Sequence, residues 1–157
     1  MGNDGGRTQH WKVRQLERSD HEAWVALFTG YATFYERALT ARQLETVWRW
    51  IFEDETMIAL VVVDRDLAGR LVGLAHLRAW RRPLRASING YLDDLFVAPE
   101  TRGTGAVDAL FTAMRELAVE QGWEVIRWTT AEDNHRAQAV YDRYAKRTSW
   151  VTYDEDC

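Results

Sequence analysis

Residues 92–111, LDDLFVAPETRGTGAVDALF, constrain the chain more than any other stretch. The apolar run ending at Val97 has the character of a strand, and Pro99 stops it because proline offers no amide to a ladder. Gly103 and Gly105 permit backbone shapes that a side chain resists. From about residue 104 the apolar positions Val107, Leu110, Phe111, Met114, Leu117 and Ala118 recur at helical spacing, with Gly122 placed to end the helix. A strand feeding a helix through a glycine loop belongs to architectures in which helices cover a sheet. The helix start points unpaired amides and a positive dipole end outward, which suits an anion such as a pyrophosphate. The glycines alone fit equally a loop that needs them only to turn. Two phosphate motifs are excluded. A P-loop needs Lys followed by Ser or Thr after its last glycine, where this chain has Ala106 and Val107. A dinucleotide fingerprint needs a third glycine where Asp108 stands.

The same periodicity predicts the rest of the chain as β-α-α-β-β-β-α-β-α-β, an α/β (α+β) arrangement with a mixed sheet. A strand at 12–16 leads to a capping box formed by Ser19 and Glu22. The helix after it carries Trp24, Leu27, Phe28 and Tyr31 on one face. A second box, Thr40 with Gln43, opens a helix with Leu44, Val47, Trp48, Ile51 and Phe52 on its apolar side. The run 57–63 is continuously apolar, as in a strand buried on both faces. Strands at 71–80 and 88–97 flank a hairpin loop at 81–85. A strand at 124–130, a helix capped at Asp133 and Asn134 with Ala137, Val140, Tyr141 and Tyr144 on one face, and a final strand at 148–153 complete the order. Residues 1–10 are expected to be a disordered segment and 11–157 a single domain.

Composition removes several function classes. Twenty Lys and Arg against 24 Asp and Glu leave a net charge of -4, which weighs against a dedicated nucleic-acid binder. The basic hairpin of Arg78, Arg81, Arg82 and Arg85 reads first as a solvated face. The single cysteine, Cys157, permits no intrachain disulfide and no cysteine metal cluster. His10, His21, His76 and His135 are scattered without ligand spacing, so no metal site is expected. No apolar run approaches the ~20 residues of a membrane helix, and the first residues lack a secretory core; the expectation is a cytoplasmic protein without a membrane partner.

The segment at 92–111 resembles the GNAT superfamily of acetyl-CoA-dependent N-acetyltransferases. The strand LDDLFVAP is similar to the family's Leu-x-x-Leu-aromatic-Val-x-Pro pattern. Arg102, Gly103, Thr104, Gly105, Ala106 and Val107 stand for its Arg/Gln-x-x-Gly-x-Gly/Ala signature. Asn134, Ala137 and Tyr141 match a second signature, Asn-x-x-Ala-x-x-x-Tyr. Val107 departs from the family's preferred Gly or Ala, and Ala145 from a frequent glycine. The ending looks more like the yeast histone/polyamine acetyltransferase subgroup and its bacterial relatives.

The resemblance implies a GNAT-like mixed central sheet of six to seven strands flanked by about four helices. It also implies transfer of an acetyl group from acetyl-CoA to a primary amine by direct attack in a ternary complex. The amine would belong to a small polyamine-like molecule, an amino acid or a lysine side chain. A non-catalytic acyl-CoA-binding module of the same fold is the alternative. An amine with pKa near ~10.4 is only about one part in a thousand neutral at pH 7.4. A base is therefore needed, for which the resemblance offers Asp93 or Asp94, with Asp93 favoured. By the same resemblance Leu95, Phe96 and Val97 line the donor, with the Leu95 and Val97 amides facing the acyl oxygen. Arg102, Gly103, Thr104, Gly105, Ala106 and Val107 cradle the pyrophosphate, Arg143 reaches the nucleotide, and Asn134 and Ala137 flank the pantetheine arm. Tyr141 faces the leaving sulfur. Tyr31, Phe34, Tyr35 and Glu36, with Asp93, would wall the acceptor, and the acidic tail 154–156 could add to their charge. Trp128 and Trp150 fall in late strands of the kind that pair across a homodimer in this superfamily.

Overall fold

The computed structural model describes residues 10–157, so the expected disordered segment lies outside the described residues apart from His10. The sheet has five strands in chain order: β1 (Trp11–Gln15), β2 (Ile58–Asp64), β3 (Arg70–Arg82), β4 (Ser87–Val97) and β5 (Ile126–Arg127). Neighbours run antiparallel except β4 and β5, which are parallel. Helices α1 (His21–Phe34) and α2 (Ala41–Phe52) cover one face, and α3 (Ala106–Gln121) and α4 (His135–Tyr141) the other. The apolar run in β2 serves both layers. Ala59, Val61 and Val63 pack with Trp24, Leu27 and Phe28 of α1, while Leu60 and Val62 pack with Leu110, Phe111 and Met114 of α3.

Thr40 and Gln43 form the expected capping box at the start of α2. At α1 the box lies elsewhere. A turn at Arg18–Asp20 precedes the helix, and Asp20, not Ser19, is the acceptor: its Oδ2 takes the Glu17 amide at 2.8 Å. Arg14 grips the same carboxylate with two N–H groups at 2.6 and 2.9 Å. This charge-assisted fork outcompetes a neutral serine cap.

Two adjacent β4 residues, Asp93 and Asp94, sit at a break in the ladder. Leu77 pairs with Leu92 and His76 with Asp94, so Asp93 is the extra residue of a β-bulge. Before the bulge Leu92 faces α3; after it Leu95 and Val97 face α3, whereas Phe96 faces α1.

Gly90 marks the tightest approach in the sheet. A Cβ built there would lie 2.4 Å from Cε3 of Trp123, a buried ring that cannot retreat. Gly90→Ala is expected to lower unfolding stability by about 1–3 kcal/mol, read as a fall in Tm of several degrees.

The final strand expected at 148–153 does not form, and the sheet has five strands rather than six or seven. The outermost strand, β5, is laddered over two residues only, too short an edge to template six more. Trp150, Val151 and Tyr153 are consequently 78%, 72% and 88% exposed. The strand expected at 124–130 is short for a related reason. The buried Asn89 side chain accepts the Glu124 and Val125 amides at 2.9 and 3.0 Å, and beyond Arg127 the chain leaves β4 as Trp128 packs against Phe111.

Candidate active site

The loop from β4 to α3 is knitted from within. Thr101 donates to the Ala98 carbonyl at 2.9 Å, Thr104 donates to the Thr101 carbonyl at 2.5 Å, and the Trp11 indole donates to the Thr104 carbonyl at 3.0 Å. These bonds consume carbonyls and side-chain donors. The amides of Ala106, Val107 and Asp108 are those an α-helix start leaves without intrahelical acceptors. Gly105 caps α3 at φ +96°, and Gly103 has φ +76° with open space where a Cβ would stand. An open, donor-rich cradle at a helix N-terminus fits the pyrophosphate of a coenzyme A donor. Val107, the departure from the family pattern, packs inward against the α3-side core. The Asp108 carboxylate, a like charge at this helix start, is engaged by Arg143 at 3.5 Å and by the Tyr144 hydroxyl. Arg143 is thereby held beside α4, its guanidinium also over the Tyr144 ring, and Arg102 extends over the Phe34 ring at 5.7 Å.

The end of β4 presents backbone donors to the same region. The Ala98 amide donates to Val72 of β3 at 2.8 Å. Strand alternation then turns the Phe96 amide toward β3 as well, and the Leu95 and Val97 amides away from it. On that side β5 pairs only with Gly90 and Tyr91, so its ladder has ended before these two amides.

The bulge separates the two aspartates. Asp93 reaches the Arg78 guanidinium at 3.0 Å, and burial nonetheless pushes its carboxyl above the ordinary range, against the opposing pull of Arg78. Asp94 enters the α1 layer, where its Oδ2 lies 2.9 Å from Nδ1 of the buried His76. The Tyr31 phenol stands beside Asp94 and the Tyr35 hydroxyl; burial first, and then the Asp94 charge, drive it well above the usual phenol value. Phe34 and Tyr35 are exposed at the end of α1. Glu36 follows in the left-handed region at φ 54°, closing the helix with its carboxylate in solvent, as are those of Asp154, Glu155 and Asp156.

Tyr141 ends α4, packed on Trp128 and Phe111 with ring centroids 5.5 and 6.2 Å away. Its phenol is pushed up to about 12, chiefly by burial and secondarily by the neighbouring Tyr35. Asn134 caps α4, its Oδ1 accepting the Ala137 amide at 3.1 Å. The fold thus brings Asp94, Tyr31 and Tyr35 together, with Tyr141 near Tyr35, while Asp93 turns to Arg78 and Glu36 is exposed. Sequence reasoning missed His76 and its partner Trp24. The available signal was one polar residue within the apolar stretch 71–77 of β3, on the face that α1 covers.

The acetyltransferase (GNAT) family matches residues 12–145. The D-amino-acid N-acetyltransferase HPA3 of Saccharomyces cerevisiae is 28% identical over 142 residues, covering 90% of this chain and 88% of the yeast protein. An uncharacterized N-acetyltransferase of Bacillus subtilis, YhfO, is 27% identical over 143 residues, covering 90% and 94%. The crystal structure of a probable acetyltransferase superposes with a TM-score of 0.82 at 20% identity, covering 93% of this chain and 97% of that one. With the family's pattern spanning nearly the whole domain, the chain is a member of the GNAT acetyltransferase family and an acyltransferase by class.

Proposed function

We propose that this protein moves the acetyl group of acetyl-CoA to a primary amine by direct attack within a ternary complex. The observation that carries the reading is the parting of β4 and β5. It is supported by two β4 amides turned away from β3 beyond the end of the β5 ladder, by the glycine cradle, by the Asp94–Tyr31 pair and by Tyr141. Bound acetyl-CoA supplies an activated acyl carbon and a thiol leaving group. The cradle at 103–107, with Arg102, holds the pyrophosphate, and Asn134 and Ala137 border the pantetheine arm. The Leu95 and Val97 amides face the acyl oxygen, where charge develops. Asp94, beside Tyr31 and facing α1, takes the ammonium proton; its placement favours it over Asp93, which Arg78 engages. The new C–N bond forms as the C–S bond breaks, the nitrogen gives up its second proton as it becomes an amide, and the leaving thiolate takes a proton up in its place.

Tyr141 serves the sulfur by hydrogen bonding. With a phenol at about 12 and a thiol near ~8.5, complete proton transfer is uphill by about 5 kcal/mol, so the proton stays on oxygen. Tyr141→Phe is expected to lower kcat about 10–100-fold and leave the affinity for acetyl-CoA within about twofold, as read by thiol release and by thermal shift.

The acceptor wall of Tyr31, Phe34 and Tyr35 suits a small cationic amine. D-amino acids, which the yeast relative's name specifies, head the assay panel, followed by L-amino acids, polyamines and lysine peptides. The bare apolar residues of the tail, Trp150, Val151 and Tyr153, support a homodimer in which a second copy covers them. The test of the function is the melting temperature with acetyl-CoA against matched ADP and NAD. At a hundredfold excess over Kd the gain is about 2.7 kcal/mol, or several degrees. A shift for acetyl-CoA alone, followed by amine-dependent thiol release, is the expected result; no shift at millimolar acetyl-CoA overturns the reading.

A further inference from the structure

We infer that His76 is a positioning residue for Asp94, and that Trp24 determines which imidazole nitrogen carries the proton. The inference rests on Asp94 working in acetyl transfer, as proposed above. His76 and Trp24 are both wholly buried. The Trp24 indole Nε1 lies 3.0 Å from His76 Nε2. An indole nitrogen can only donate, so Nε2 must accept. The neutral ring then carries its proton on Nδ1, which is the nitrogen 2.9 Å from Asp94 Oδ2. The two contacts therefore agree on a single tautomer. A proton added at Nε2 would meet the Trp24 N–H head on. The Phe28 ring meets the imidazole edge to face with centroids 4.9 Å apart, which holds its plane.

The consequence falls on Asp94. A carboxylate on a strand rotates over a broad, shallow range about its last bond. Here one oxygen is tied to an imidazole that is itself tied to α1, so the rotation of the carboxylate and the direction of its other oxygen are fixed, with the Tyr31 phenol beside the group. The bulge at Asp93 and the relay from Trp24 act on the same side chain: the first turns it into the α1 layer, and the second sets its rotation.

Three replacements separate orientation from packing. His76→Asn keeps a donor where Nδ1 stood. His76→Gln keeps an amide near the Nε2 position and loses the donor to Asp94, and His76→Leu loses both. The expected result is a kcat within about tenfold of wild type for Asn and a loss on the order of 100-fold for Gln and Leu. The KM for acetyl-CoA and the thermal shift it produces should be unchanged in all three. Equal loss in all three, or no loss in His76→Leu, overturns the assignment. Because a buried substitution can unfold the protein, ¹⁵N NMR of the wild type gives a second reading. In the neutral ring Nδ1 should be protonated and Nε2 bare. An Nε2–H ring overturns the proposal whatever the activities. A wild type that turns over no amine overturns the acetyl-transfer reading, and the role of His76 with it. Turnover that is indifferent to His76 overturns the role alone.

Discussion

Asp94→Asn will reduce kcat for amine acetylation about 10³-fold, a loss of roughly 4 kcal/mol in transition-state stabilisation, with the acetyl-CoA thermal shift intact. The amide keeps the shape of the carboxylate and can still accept from His76 Nδ1, so packing in the α1 layer survives. It cannot accept the ammonium proton. Asp93→Asn is the matched control: it removes the charge beside Arg78 and should change kcat by less than about tenfold. Parallel pH–rate profiles decide between the two. The half-maximal pH should move upward only for the substitution that removes the base. A larger loss at Asp93 than at Asp94 would reverse the assignment.

Gly105→Glu should remove measurable acetyl-CoA binding, with a loss of at least about 10³-fold. Two effects combine. At φ +96° any side chain is strained, at a cost of about 1–2 kcal/mol in stability. A carboxylate there also faces the pyrophosphate at the positive end of α3. Gly105→Ala shares the strain without the charge, and its Cβ would meet Trp11 at an ordinary 3.8 Å. The alanine variant should therefore melt lower yet still shift with acetyl-CoA, while the glutamate variant melts lower and does not shift. Isothermal titration of both variants measures the difference directly.

Features determined within one turn or one strand were legible from the residues. The Thr40–Gln43 box, the Asn134 cap and the Gly122 helix end each depend on neighbours in the chain, and each formed as expected. Features determined across elements were not. The first capping box moved because Arg14, on β1, holds Asp20. The different surroundings of Asp93 and Asp94 depend on how β4 is counted against β3, which no single strand records. His76 looked like an isolated histidine because its partner Trp24 lies on another element, 52 positions away. The residues at 148–153 have strand propensity, but propensity cannot supply the edge that a strand must pair with. The Arg102–Val107 and Asn134–Tyr141 motifs were recognisable through their family spacing. Which of their side chains turn inward, as Val107 does, required the packed helix.

The bulge also gives β4 one residue that its ladder does not count. Side chains alternate strictly along a strand, so the residues before and after Asp93 obey opposite parities. A codon change at position 93 alters one carboxylate. Loss of that codon would restore an unbroken ladder and leave Phe96 in the α1 layer, and Leu95 and Val97 in the α3 layer. Over evolutionary time this stretch should accept substitution or loss of the extra residue, and reject length changes elsewhere in β4 that keep the bulge, because those turn the residues beyond them to the opposite layer.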